Sequence, residues 1–146
     1  VVISHCSNVF GEGQHPEKFI PRLIYEISRG REVTIHAKED GEPGSRMYIH
    51  TEDVTAAIRI LLEQGKIHGK YNIPGRKYSN LEIAMKISEL LGKPLKYKLA
   101  YPYAERPGWD FSYDINGAEH LEALGWERGN FKAQLLQTIQ GELCRV

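Results

Sequence analysis

The sequence predicts a mixed α/β fold made of short strands and amphipathic helices, and three observations carry that prediction. Apolar residues alternate with polar ones in some stretches, as at Val33, Ile35 and Ala37, and recur at helical spacing in others, as at Ile83, Ile87 and Leu90. Glycine and proline punctuate nearly every junction between such stretches. No long uninterrupted strand–helix–strand series follows, so a complete doubly wound sheet is not expected.

Taken in order, Val1-Val2-Ile3 reads as an apolar strand running into a polar turn, Ser7-Asn8-Val9-Phe10-Gly11. Pro21 fits the first turn of a helix and Gly30 its end, with Leu23, Ile24 and Ile27 at helical spacing. Val33 to Lys38 alternates as a strand, Glu39 to Ser45 is a loop, and Arg46-Met47-Tyr48-Ile49 is a second strand. Thr51 is placed to cap a helix whose apolar face is Val54, Ala57, Ile58, Leu61 and Leu62, ended by Gly65. Tyr71-Asn72-Ile73 reads as a short buried strand and Pro74-Gly75-Arg76 as a turn. Ser79 and Glu82 form a capping box for a helix closed by Gly92. Leu95 to Leu99 alternates like a strand, Pro102 to Gly108 is irregular, and Ser112 to Ile115 is a short strand. Two helices, Gly117 to Leu124 and Phe131 to Leu143, finish the chain, with Asn116 and Asn130 as their caps.

Composition narrows the function classes. At 146 residues, one domain with a real core is expected. Nineteen basic and nineteen acidic side chains cancel, so nothing draws the chain as a whole to nucleic acid or to an acidic membrane, and any anion site must be local. Cys6 and Cys144 have no metal or disulfide-framework spacing and read as free thiols in a reducing compartment. With no apolar run of membrane length and no signal-peptide pattern, a cytoplasmic location is expected. The chain starts on Val inside a strand-like run, which reads as a fragment of something longer.

In an open α/β sheet, ligands gather beyond the C-terminal ends of the strands. Asn8 stands there with an amide donor and a carbonyl acceptor, although asparagine also suits such a turn for backbone reasons alone. Arg46, after a flexible loop, is a phosphate ligand or a solvated charge; a guanidinium fork gives phosphate two parallel charge-assisted bonds. Asn72 either meets a ligand or bonds its own turn, and Thr34 and His36 occupy the polar face of an alternating strand. In Arg106-Pro107-Gly108 the proline stiffens the loop and the glycine permits close approach to a ligand. Asp53 reads as favourable charge at a helix start.

Four absences narrow the chemistry. Gly11-Glu12-Gly13 lacks the later glycine of a dinucleotide fingerprint. No tyrosine has lysine four residues on, so a pair in which the cation lowers the phenol's pKa for use as a base is missing. The six histidines show no metal-ligand spacing, and Ser7 is not in a G-x-S-x-G elbow.

The run Cys6-Ser7-Asn8-Val9-Phe10-Gly11, followed by Pro16-Glu17-Lys18-Phe19-Ile20-Pro21, resembles the R-x-S-N-x-Y-G-P and P-E-K-hydrophobic-I-P patterns of the nucleotide-sugar branch of the extended short-chain dehydrogenases/reductases. The similarity is greatest to the dTDP-glucose 4,6-dehydratases. Arg46 with Tyr48 to Asp53 resembles R-D-W-x-Y-V-x-D, Tyr71 to Gly75 resembles Y-N-I-G-G, and Arg106 to Ile115 resembles R-P-G-H-D-x-R-Y-x-I. His5, Phe10, Glu12, Met47, His50, Trp109 and Ser112 depart from those patterns.

The resemblance extends over essentially the whole chain. It implies an α/β fold made of the C-terminal substrate-binding lobe of a Rossmann-type dehydrogenase plus a few strands of its main sheet, residues 1–146 forming one substrate-binding portion with the N-terminal NAD-binding half absent. It implies a role in an NAD-dependent nucleotide-sugar 4,6-dehydratase or epimerase, with substrate contacts at Asn8, Glu17, Lys18, Thr34, His36, Arg46, Asn72, Arg106 and Trp109. The Trp109 indole would stack on base or ribose, or pack against the lobe. No catalytic residue or metal is expected here, and NAD belongs to the complete enzyme rather than tightly to this chain. The implied partners are a nucleotide-diphosphate sugar, the missing half and a second copy of the complete enzyme. A non-catalytic nucleotide-sugar binding module is the alternative.

Overall fold

The computed structural model describes residues 1–101 and 110–145. Along them run β1 (Ile3–Cys6), β2 (Asn8–Phe10), α1 (Phe19–Ser28), β3 (Glu32–His36), β4 (Ser45–His50), α2 (Thr51–Gln64), β5 (Lys70–Ile73), β6 (Arg76–Ser79), α3 (Asn80–Leu91), β7 (Lys96–Ala100), β8 (Ser112–Tyr113), α4 (Glu119–Glu122) and α5 (Phe131–Cys144). β1 and β5 form a parallel pair. β4 centres a second sheet, with β2 and β8 parallel to it and β6 antiparallel. β3 and β7 form a third, parallel pair.

The β4 sheet divides two cores because successive side chains leave a strand on opposite faces. Phe10 and Tyr48 join Leu23, Ile24 and Ile27 of α1, Ile83 and Ile87 of α3, and Leu135 and Ile139 of α5. On the other face, Ile49 meets Ala57 and Leu61 of α2, Leu121 of α4 and the buried Trp126. Full burial of each such large apolar side chain contributes roughly 1.5–3 kcal/mol. Several expected features are present: Pro21 in the first turn of α1, the reciprocal Ser79–Glu82 capping box, left-handed Gly92 ending α3, and Asn130 accepting from the Ala133 N–H.

Other expectations are corrected. The first strand is Ile3–Cys6 rather than Val1 to Ile3, and the expected turn is largely β2, because β4 offers Asn8, Val9 and Phe10 backbone partners opposite Tyr48, Ile49 and His50. Arg76 does not belong to a turn; it opens β6, which pairs with β4. The expected strand from Ser112 ends at Tyr113, and the Ile115 N–H donates to the Met47 sulfur instead. Of the helix expected over Gly117 to Leu124 only Glu119–Glu122 forms, and Asn116 does not cap it; its carbonyl accepts from the Asn72 amide. Residues 102–109, expected to be irregular, lie outside the described residues.

α2 departs from expectation on two counts. Its cap is His50 rather than Thr51, the ring Nδ1 accepting from the Glu52 N–H at 3.3 Å. Its buried stripe is Asp53, Ala57 and Leu61, while Ile58 is 44% and Leu62 82% exposed. The reason is the Asp53 carboxylate, which accepts from the Gly129 N–H and the Gln134 amide, both at 2.9 Å, and so turns that stripe inward. Asp53 is therefore a buried tie to the C-terminal segment, beyond the helix-start charge read from its position.

His50 links stability to pH. The ring is buried edge-on to Phe10, and as a cap acceptor its Nδ1 must be unprotonated. Burial lowers its pKa from the ordinary 6.5, against the opposing pull of Glu52 and Asp53. The unfolded chain thus takes up the proton first as pH falls, so stability is full above about 6.5 and declines below it, until the folded ring also titrates. Urea denaturation at neutral and mildly acid pH is expected to show this slope. His50→Asn, which keeps a capping oxygen without a titrating ring, is expected to flatten it; an unchanged slope would count against His50 as its source.

Candidate functional site

β1 and β5 run side by side and end level, His5 opposite Asn72 and Cys6 opposite Ile73. Just beyond them the chain delivers Ser7 and Asn8 on one strand and Pro74 and Gly75 on the other. Asn8 opens β2 and is exposed. It lines a cleft of about 350 Å³ together with Gln14, Lys18, Phe19 and Tyr48. Lys18 is placed there because it is the N-cap residue of α1, in extended conformation and with no side-chain cap bond. Gln14 holds the cleft edge by donating to the Val9 carbonyl at 3.0 Å. The buried Tyr48 phenol donates to Asn80 Oδ1 at 2.7 Å, and burial pushes its pKa up, so it is a neutral donor and not a proton acceptor.

Arg46 lies two residues before Tyr48 on β4, on the same face of the sheet. It is half-buried, and its guanidinium donates to the carbonyls of Ser45 at 2.7 Å, Phe111 at 3.1 Å and Asp110 at 2.6 Å. Asn72 donates to the Asn116 carbonyl at 2.5 Å. Lys77 pairs with Asp114 at 2.6 Å, a bond that holds the Asp114 carboxyl below its ordinary range. Arg46, Lys77 and Asn72 therefore tether residues 110–116 at three points.

The structure thus brings Asn8 and Lys18 into one cleft and sets Arg46 and Asn72 on one neighbouring segment. Glu17 does not line that cleft; its carboxylate is exposed beside His15. Thr34 and His36 are half-buried on β3, opposite Lys98 and Ala100 of β7, in the third sheet. Arg106 and Trp109 lie outside the described residues. Sequence reasoning missed Gln14 and Tyr48 as cleft residues and Lys77 as a tether. A strand at Arg46-Met47-Tyr48-Ile49 was visible in the sequence, but which wall the Tyr48 ring would form depended on pairing with β2.

Among the described residues no group of His, Cys, Asp and Glu is placed to hold a metal ion. Nor is any helix among them long and apolar enough to cross a membrane. The glycines at 11 and 13 do not fit a dinucleotide loop: the Gly13 N–H donates to the Glu142 carboxylate, a group that would repel a pyrophosphate.

The parallel strands β1 and β5 end level beside the cleft that Asn8 and Lys18 line, and in α/β sheets generally that edge is where ligands gather. The model of the NAD dependent epimerase/dehydratase family matches residues 1–74. The chain belongs to that family. It is 32% identical over 149 aligned residues to a dTDP-glucose 4,6-dehydratase of Xanthomonas campestris pv. campestris, covering 95% of this chain and 41% of that protein. A Bacillus anthracis dTDP-glucose 4,6-dehydratase solved with NAD superposes with a TM-score of 0.82 at 31% identity, over 99% of this chain and 45% of that one. A Thermus thermophilus UDP-glucose 4-epimerase, also solved with NAD, gives 0.85 at 26% identity, over 99% and 47%. The chain spans less than half the length of each of these relatives.

Proposed function

We propose that this chain is the substrate-binding portion of an NAD-dependent nucleotide-sugar 4,6-dehydratase or epimerase and that it anchors the nucleotide diphosphate. The observation that carries this reading is the convergence of Asn8 and Lys18 on one cleft, next to the level ends of β1 and β5 where Asn72 also stands. Similarity to a dTDP-glucose 4,6-dehydratase sequence, and to one dehydratase and one epimerase solved with NAD, supports the same reaction class.

In the complete enzyme NAD would supply transient oxidation of the hexose at C4, and the half that binds it lies outside this chain. What the residues here do is bind and orient. Asn8 offers an amide donor and Lys18 a cation to phosphate oxygens. Arg46 fixes residues 110–111, and Asn72 fixes Asn116, so these two shape the wall that follows Arg106 and Trp109 in the chain. Binding the remote nucleotide then positions the sugar ring, which is how a non-reacting lobe contributes to rate.

Calorimetric titration of the folded chain with dTDP-glucose and UDP-glucose tests this. Saturable binding is expected, weakened by ~1.5–3 kcal/mol in Arg106→Ala and by about 1 kcal/mol in Asn8→Ala. No binding of either compound by folded chain would overturn the proposal.

A further inference from the structure

Both segments that frame the candidate site change sheets at the same level. The chain leaves β1 for β2 through a single residue, Ser7, and leaves β5 for β6 through Pro74 and Gly75. These switch points are bonded to each other. The buried Ser7 N–H donates to the Ile73 carbonyl at 3.3 Å, and the Gly75 N–H donates to Ser7 Oγ at 2.7 Å. Gly75 is pressed flat on β4, where a Cβ would overlap the Tyr48 carbonyl and stand 2.8 Å from the Ile49 nitrogen. Arg128 completes the clamp by donating to the Pro74 and Gly75 carbonyls, the latter at 3.1 Å.

Asn8 follows Ser7 directly, and Asn72 comes two residues before Pro74. Asn8 pairs with β4 and Asn72 with β1, so no ladder bond joins the two asparagines and their ladders belong to different sheets. The side-chain bond that connects their two segments at the switch is the one between Ser7 and Gly75. We propose that Ser7 is a positioning residue: its hydroxyl, locked to the Gly75 N–H at the sheet switch, sets the spacing of Asn8 and Asn72 for a nucleotide-diphosphate sugar. This rests on the reading of Asn8 as a ligand contact and of Asn72, through its bond to Asn116, as support for the wall beside it. Ser7 itself touches no ligand; removing its hydroxyl leaves the Gly75 N–H buried without a partner and loosens the turn at Gly75 against the start of β2, while the β1–β5 ladder stays in place.

The test joins amide hydrogen exchange with calorimetry on the chain and on Ser7→Ala and Ser7→Thr. Exchange at Gly75 is expected to accelerate at least about tenfold in Ser7→Ala, with Val33 and Ile35 of the third sheet unchanged. At a temperature where circular dichroism shows Ser7→Ala fully folded, its Kd for dTDP-glucose is expected to rise about tenfold, and Ser7→Thr, which keeps the hydroxyl, to restore both values. If Ser7→Ala does not fold, Ser7→Cys, whose sulfur is a weak acceptor of similar shape, is read in the same way. Unchanged Gly75 exchange, or wild-type affinity in the folded variant, would overturn the positioning role. Failure of the wild-type chain to bind dTDP-glucose or UDP-glucose would overturn the nucleotide-sugar reading and this inference with it, and the wild-type titration alone reveals that case.

Discussion

Gly75→Ala is expected to cost more than about 4 kcal/mol and to leave little folded protein at physiological temperature. The added methyl would meet the backbone of Tyr48 and Ile49, not the end of a side chain that could swing away. Relief would require moving β4, on which β2, β6 and β8 all depend. Gly30→Ala provides the comparison. There a methyl meets nothing within 4 Å, and the cost is confined to the positive φ of 67°, about 1–2 kcal/mol. Thermal melts followed by circular dichroism separate the two. A Gly75→Ala protein as stable as Gly30→Ala would show that the turn can lift off β4 cheaply, and would weaken the case for a rigid switch between the sheets.

Asp53→Ala is expected to destabilise the fold by ~2–5 kcal/mol, because it leaves the Gly129 N–H and the buried Gln134 amide without their acceptor. Asp53→Asn, which retains one side-chain oxygen, is expected to lose about half as much. The effect should spread beyond α2. The carboxylate reaches Gln134 of α5 and the Gly129 N–H, whereas the residue's main-chain carbonyl, which alanine retains, accepts from the Trp126 indole at 2.9 Å. Urea denaturation followed by tryptophan fluorescence in a Trp109→Phe background, which leaves the buried Trp126 as the reporter, measures it. Wild-type stability in Asp53→Ala would mean that Gly129 and Gln134 find other acceptors, and that the charge at the helix start was the residue's main contribution after all.

The two variants mark where sequence reading succeeds and where it stops. The capping box at Ser79, the turn at Gly92 and the alternation of Val33, Ile35 and Ala37 were legible because each is written within a few consecutive residues. The role of Asp53 was not: its partners lie 76 and 81 positions away. Leu62 belonged to the apolar face by spacing, yet it is 82% exposed, since burial of the Asp53, Ala57 and Leu61 stripe decides which way α2 faces. Of the candidate contacts, Asn8 and Lys18 could be named from their motif, but their meeting in one cleft could not. Nor could the use of Arg46 and Asn72 as tethers of residues 110–116.

By itself the sequence determined the α/β class, most helix and strand positions, and a family membership that the comparison over residues 1–74 bears out. Those rest on periodicity, caps and short motifs, all of them local. Only the tertiary structure decided that Asn8 would open a strand rather than sit in a turn, because β4 supplied the backbone partners that a tripeptide cannot provide for itself. It also decided that Ser7 and Gly75 would meet. A hydrogen bond across 68 residues forms only once β1 and β5 lie parallel and end level.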